Sequence, residues 1–218
     1  VDAALARVRR IVPAARAEGI AADCATAAGA EAVFARLPEV DILVNNLGLY
    51  ERRPFFEIPD GEWLRCFEVN VLSGVRFARR YAPGKARRAW GRVLFVSSES
   101  ALNVPKEMIH YGMSKTAQLT VSRGLAMELA GTGVTVNALL PGPTRTENTE
   151  RLRARAAGKT VAEIEAEFFA VYRPTSLIRR FASADEVANL AVYLCGDGAA
   201  ATTGAALRVD AGTVNQIM

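Results

Sequence analysis

Apolar and polar positions along this chain follow two different periods. Short, nearly unbroken apolar runs stand at Asp41–Asn45, at 92–97 and at Val134–Leu140, with a last one at Ala206–Asp210. Such runs suit strands covered on both faces. Ile20–Asp23 is a shorter strand candidate. Between them the apolar positions recur at helical spacing. Val1, Leu5, Val8 and Val12 mark one face of a helix over residues 1–12, and another helix is predicted over 26–37. A longer one starts near Asp60, a good N-cap residue, and runs past Trp63, Phe67, Asn70 and Val75 until Pro83-Gly84 interrupts or ends it. A further helix covers about 107–130 and closes at Gly131 to Gly133. Ser183-x-x-Glu186 reads as a capping box opening a helix whose Val187, Leu190, Ala191 and Leu194 form a core stripe. Residues 147–180 are charged, with a helical tract around Phe168, Phe169 and Tyr172, and read as an excursion over the strand ends. Alternating strands and helices predict one α/β domain, a parallel sheet with helices on both faces.

Composition narrows the function classes. Half of the 218 residues are hydrophobic and 23% are charged, which argues against disorder. No apolar run reaches the ~18 residues of a membrane span, and no secretory signal is visible. Cys24, Cys66 and Cys195 form no metal-ligand spacing, and the chain has one histidine, so no metal site is expected. An odd number of scattered cysteines fits a reducing cytoplasm. The net charge of +4 comes mainly from arginines at helix ends and turns. They read as solvated surface, since nucleic-acid binding would interleave such a patch with aromatics.

Chemistry concentrates between Val93 and Lys115. Ser97-Ser98-Glu99-Ser100 follow a strand at its C-terminal end, where open α/β sheets place their ligands. Tyr111 and Lys115 stand four apart on a helix, hence on one face and about 6 Å apart along its axis. A cation beside a phenol lowers its pKa and improves it as a general base. By itself the pair is weak evidence, because five Tyr and four Lys give one by chance with a frequency of ~0.09. His110 lies about 100° around the helix from that face and is expected at a pocket wall or on the surface.

Taken together, Asn45-Asn46-Leu47-Gly48 at one strand end, Asn70 within a helix, Ser98 thirteen residues before Tyr111, Lys115, and Pro141-Gly142-Pro143-Thr144-Arg145-Thr146 at another strand end resemble the classical branch of the short-chain dehydrogenase/reductase family. The resemblance covers nearly the whole chain. Leu47 stands where the family usually has Ala, and Ala211 where it usually has Gly. It implies a Rossmann-like doubly wound sheet, NAD or NADP as cofactor, and hydride transfer between nicotinamide and a carbonyl or secondary alcohol, as in a 3-oxoacyl or ketone reductase. Tyr111 would then be the acid or base, Ser98 would hold the reacting oxygen, and Lys115 would bind the nicotinamide ribose and lower the tyrosine pKa. Asn70 would interrupt the helix and hold a water linked to Lys115. Asp23 and Cys24 would meet adenine, and Asn45, Asn46 and Gly48 the adenosine ribose. Pro141 and Gly142 would pass beneath the nicotinamide, with Thr144 and Thr146 bonding its carboxamide or the pyrophosphate. Leu49, Tyr50, Glu99, Ser100, Leu102 and Asn103 would line a substrate pocket, joined from the lid at 147–180 by Phe168, Phe169, Tyr172 and Arg173. Helices 60–82 and 107–130 resemble those that pair subunits, which implies a homodimer or homotetramer.

The family's opening strand, glycine-rich turn, helix and second strand are not found in this sequence. That implies an N-terminally truncated chain lacking about 30–40 residues, one βαβ unit, with weak cofactor binding. The competing expectations are a non-catalytic Rossmann-like binding or assembly protein, an inactive fragment, or an extended-branch sugar-nucleotide enzyme.

Overall fold

The computed structural model describes residues 1–145 and 158–217. Among these, four parallel strands lie in the order β1 (Ile42–Asn45), β2 (Gly91–Val96), β3 (Val134–Pro141) and β4 (Ala206–Val209). Helices α1 (Asp2–Ile11) and α2 (Ala27–Arg36) precede the sheet, α3 (Asp60–Phe67) and α4 (Ser73–Arg87) join β1 to β2, and α5 (Ile109–Glu128) joins β2 to β3. Helices α6 (Val161–Val171) and α7 (Ala184–Cys195) lie between β3 and β4. The side-chain period of two sorts the residues of the central strands between two cores. Val93, Phe95, Val134 and Val136 pack with Phe34 of α2, Ala78 of α4 and Leu129 just after α5. Leu94 and Leu139 pack on the other face against Leu194 of α7 and its Val187, Leu190 and Ala191 stripe. The α/β architecture is as the periodicity predicts.

Register brings the strand ends to one rim. Asn45 pairs with Phe95, and Leu139 with Val96. The segments after β1, β2 and β3 therefore emerge side by side, and the candidate residues sit there.

Several local expectations are corrected. Ile20–Asp23 forms no strand, since no described strand offers it a ladder. Asp60 is the first residue of α3 rather than its cap, and Pro59 occupies the cap position. Pro83 does not end α4, which continues to Arg87. Proline costs a helix one hydrogen bond. Buried anchors on both sides offset that here: the Tyr81 hydroxyl donates to Leu37 O, and Lys85 Nζ donates to Val40 O. The Ser183–Glu186 capping box forms in both directions, and Thr160–Glu163 forms a second one at α6 that the sequence reading passed over.

The turn from α5 into β3 requires a left-handed backbone. Gly133 has φ +76°, and a Cβ there would lie 2.2 Å from Ala89 O. Gly133→Ala is expected to cost at least about 1–2 kcal/mol from the backbone alone and to lower the melting temperature by about 2–8 °C. Thermal unfolding followed by circular dichroism checks this.

Candidate active site

Helix α5 carries two of the candidate groups, and side-chain bonds seat it against the end of β2. Ser97 Oγ donates to Lys115 O at 2.8 Å, and Thr116 Oγ1 donates to Ala101 O at 2.8 Å. Within its first turns, Ser114 Oγ donates to Tyr111 O at 2.7 Å. The Tyr111–Lys115 face is thereby turned toward the rim. Lys115 Nζ stands 5.6 Å from the centroid of the Tyr111 ring.

Ser98 follows β2 in extended conformation, and its Oγ accepts from Ser100 N at 3.1 Å. That contact occupies a lone pair and leaves the hydroxyl hydrogen for another acceptor. The Ser98 hydroxyl lies near enough to the Tyr111 phenol to favour its anionic form. The structure thus brings Ser98, Tyr111 and Lys115 into one cluster.

The charges of this cluster differ from the sequence expectation. Tyr111 is pushed up to about 12, chiefly because burial penalises the phenolate, with Ser98 opposing. Lys115 is lowered to about 8, again by burial. The expected lowering of the tyrosine by Lys115 is not found: desolvation governs both groups, and at Tyr111 it is Ser98 that opposes it.

Asn70 lies in a π-helical turn, Glu68–Leu72, between α3 and α4. Its side chain clamps the segment after β1. Oδ1 accepts from Leu49 N at 2.8 Å, while Nδ2 donates to Leu49 O at 3.0 Å and to Ser114 Oγ at 2.8 Å. A widened turn at this position agrees with the expected interruption of the helix.

Cofactor candidates that follow β1 and β3 lie at the same rim. Gly48 faces the lysine, since a Cβ there would lie 3.4 Å from Lys115 Nζ and 3.6 Å from Asn70 Oδ1. Asn45 is buried with its Nδ2 unpaired, and Asn46 is exposed. Pro141 ends β3, and a Cβ on Gly142 would meet the Asp210 backbone at 2.6 Å, so that glycine permits the close approach to the end of β4. Thr144 bridges to Ala182 and donates its hydroxyl to Gly142 O at 2.9 Å. Asp23 is exposed and accepts from Ala25 N at 3.1 Å, and half-buried Cys24 follows it. Thr146 and the 147–157 part of the expected lid lie outside the described residues.

Some expected pocket residues behave otherwise. Glu99 and Ser100 are buried rather than lining open space, and Glu99 is held by Arg173 in a 2.8 Å ion pair. Phe168, Phe169 and Phe181 form an aromatic cluster with centroids 4.9–5.3 Å apart, a small core of their own. Tyr50 packs its ring edge toward Tyr111 at 6.1 Å, at the rim. His110 reaches neither wall nor surface. It is buried against Trp63, with ring centroids 5.9 Å apart.

Two residues contribute in ways the sequence does not show. Arg173 was foreseen only as a lid residue, and its partner is set by tertiary folding. Gln118 stands three residues after Lys115, a spacing that places it on the lysine's face of the helix.

The sequence family described as enoyl-(acyl carrier protein) reductase matches residues 2–214. The oxidoreductase YvaG of Bacillus subtilis, itself uncharacterized, is 46% identical over 198 residues, covering 89% of this chain and 75% of that protein. The D-beta-hydroxybutyrate dehydrogenase of Rhizobium meliloti is 32% identical over 184 residues, covering 83% of this chain and 70% of that one. Among solved structures, L-sorbose reductase from Gluconobacter frateurii, complexed with NADPH and L-sorbose, superposes with a TM-score of 0.87. It is 29% identical, and the match covers 100% of this chain and 85% of that one.

Proposed function

This chain belongs to the short-chain dehydrogenase/reductase family of NAD(P)-dependent oxidoreductases, and on that footing we propose that Ser98, Tyr111, Lys115 and Asn70 form its catalytic set. The substrate proposed is a small molecule with a carbonyl or secondary alcohol, as in 3-oxoacyl or ketone reduction. The observation that carries this reading is the cluster itself, with Lys115 Nζ 5.6 Å from the Tyr111 ring centroid and the Ser98 hydroxyl near enough to favour the phenolate. Between two such hydroxyls a single carbonyl oxygen finds two donors.

The residues at the rim fit a nicotinamide coenzyme. An ammonium has three donors, and Lys115 uses two, on Val96 O at 3.0 Å and Gln118 Oε1 at 3.2 Å. One donor remains, beside a glycine with no side chain to block approach. Lys115 and Tyr111 would hold the nicotinamide ribose. Asn45, Asn46 and Gly48 would hold the adenosine ribose, Asp23 and Cys24 the adenine, and Pro141, Gly142 and Thr144 the nicotinamide end. When bound, the coenzyme supplies or takes the hydride.

The chain's own residues handle the proton. With its pKa near 12, Tyr111 is protonated at neutral pH and suited to act as the acid in reduction. Ser98 donates to the oxygen as negative charge grows on it. In the reverse direction the Ser98 hydroxyl stabilises the phenolate that accepts the alcohol proton. Reduction is expected to weaken as pH rises through about 8, where Lys115 loses its proton.

Among the described residues no helix is long and apolar enough to cross a membrane, and all three cysteines are free thiols. A cytoplasmic enzyme pairing with copies of itself through α4 and α5 is part of this proposal. Turnover of NADPH and NADH against a panel of 3-oxoacyl thioesters and hydroxyketones tests the reading. Ser98→Ala is expected to cut kcat about 10²-fold, the effect of losing one oxyanion donor. An unchanged kcat would remove Ser98 from its role.

A further inference from the structure

We infer that Gln118 is a positioning residue, a side-chain bridge that ties the Lys115 ammonium to the main chain of the π-helical turn. The inference rests on the catalytic reading of Lys115 and goes beyond it.

The geometry fixes which way the Gln118 amide points. Its Nε2 lies 2.6 Å from Asn70 O, and a carbonyl oxygen accepts, so this end must be the NH₂ group. The other end is then Oε1, 3.2 Å from Lys115 Nζ, an acceptor facing an obligate donor. Reversing the amide would set oxygen against oxygen at one end and NH₂ against ammonium at the other. Gln118 is 1% exposed, so no bulk water competes for either end.

The family resemblance implies a water on Asn70 that links Lys115 to solvent. Gln118 adds a direct side-chain link between Lys115 Nζ and Asn70 O. An amide orients and stabilises a charge but does not pass a proton along as a water does. Lys115 is thus held by two fixed acceptors, Val96 O and Gln118 Oε1, with its remaining hydrogen directed elsewhere.

An acceptor on the ammonium favours its charged form, against the burial that lowers it. Few other groups offset that burial. From α3, Cys66 favours the lysine charge, and Glu51 acts in turn on Cys66. From α5 itself come the Tyr111 ring and the Ser114 hydroxyl, which Asn70 Nδ2 engages. From the end of β2 come Val96 O and, acting on Tyr111, Ser98 and Glu99.

The test is the titration of Lys115 itself. The chain has four lysines, Lys85, Lys106, Lys115 and Lys159, so carbon-13 labelling at Cε gives four assignable signals. Gln118→Met removes the acceptor at similar length and is expected to lower the Lys115 midpoint by about one unit. Gln118→Glu supplies a carboxylate and is expected to raise it by about 1–3 units. Lys85, also near 8 but on α4 and bonded to Val40 O ahead of β1, should stay fixed in both variants and reports that the fold is intact. The alkaline fall of kcat for reduction should move with Lys115, downward in Gln118→Met and upward in Gln118→Glu. Midpoints that stay put, or that move the same way in both variants, would overturn the bridge. The titration needs no turnover, so a failure of the carbonyl-reductase reading would show separately, in the substrate panel.

Discussion

Tyr111→Phe lowers turnover by about 10²–10⁴-fold while coenzyme still binds, the loss expected when a positioned proton donor is removed and the ring is kept. The phenylalanine ring fills the same space beside Tyr50 and beneath Lys115, so packing is preserved. Only the hydroxyl, and its contact with Ser98, disappears. Burial holds that hydroxyl protonated up to about 12 in the free enzyme, so alcohol oxidation should rise with pH in the wild type and lose this dependence in the variant. Steady-state rates in both directions, with coenzyme affinity from fluorescence titration, check the result. Equal rates for the two proteins would exclude Tyr111 as the proton donor.

Arg173→Met destabilises the fold by about 3–5 kcal/mol, because it strands a buried carboxylate. Glu99 is 3% exposed, the Arg173 side chain is 12% exposed, and both Nε and a terminal nitrogen of the guanidinium reach Oε1. The second oxygen, Oε2, is buried with no partner, so the arginine is the main counterweight to desolvation. Burial already raises the Glu99 pKa above its ordinary carboxylate value of 4.5, with Arg173 opposing. Without Arg173 it rises further. For a raised carboxylate the folded state binds the extra proton, so its stabilising contribution is complete in acid and is lost as pH climbs through the folded value. The melting temperature of the variant should therefore drop by about 6–20 °C at neutral pH and by less in acid. Adding Glu99→Gln removes the stranded charge and should restore most of the loss. A single variant that melts like wild type at neutral pH would show that the pair carries no such weight.

How much of this was legible in the sequence depends on the range of the interaction. The strands at 92–97 and Val134–Leu140 could be read because a parallel strand covered on both faces must be apolar throughout. The capping box at Ser183 could be read because both of its partners lie within four residues. Pro83 misled because local propensity weighs less than Tyr81 and Lys85 reaching across to Leu37 and Val40. Ile20–Asp23 has strand composition, but a strand exists only with a partner, and periodicity does not report one. The serine, tyrosine and lysine could be found by pattern. Their ionisation could not, since the depth of burial is a property of the assembled site. The Glu99–Arg173 pair spans 74 residues and had no local signal.

The widened turn at Glu68–Leu72 also fixes the phase of the helix that follows. Its longer loop of chain accommodates one residue more than a regular α-helical path, and α4 is laid on the sheet from that offset. A chain shortened by one residue there would close into regular helix and rotate α4 by about 100° relative to α3. Gly74, where a Cβ would come within 2.9 Å of the Phe95 ring, would swing away from the strand, and a bulkier neighbour would be driven into its place. The five residues that present Asn70 to the site thus also serve as a spacer, and losing one of them would misalign an entire layer of the domain.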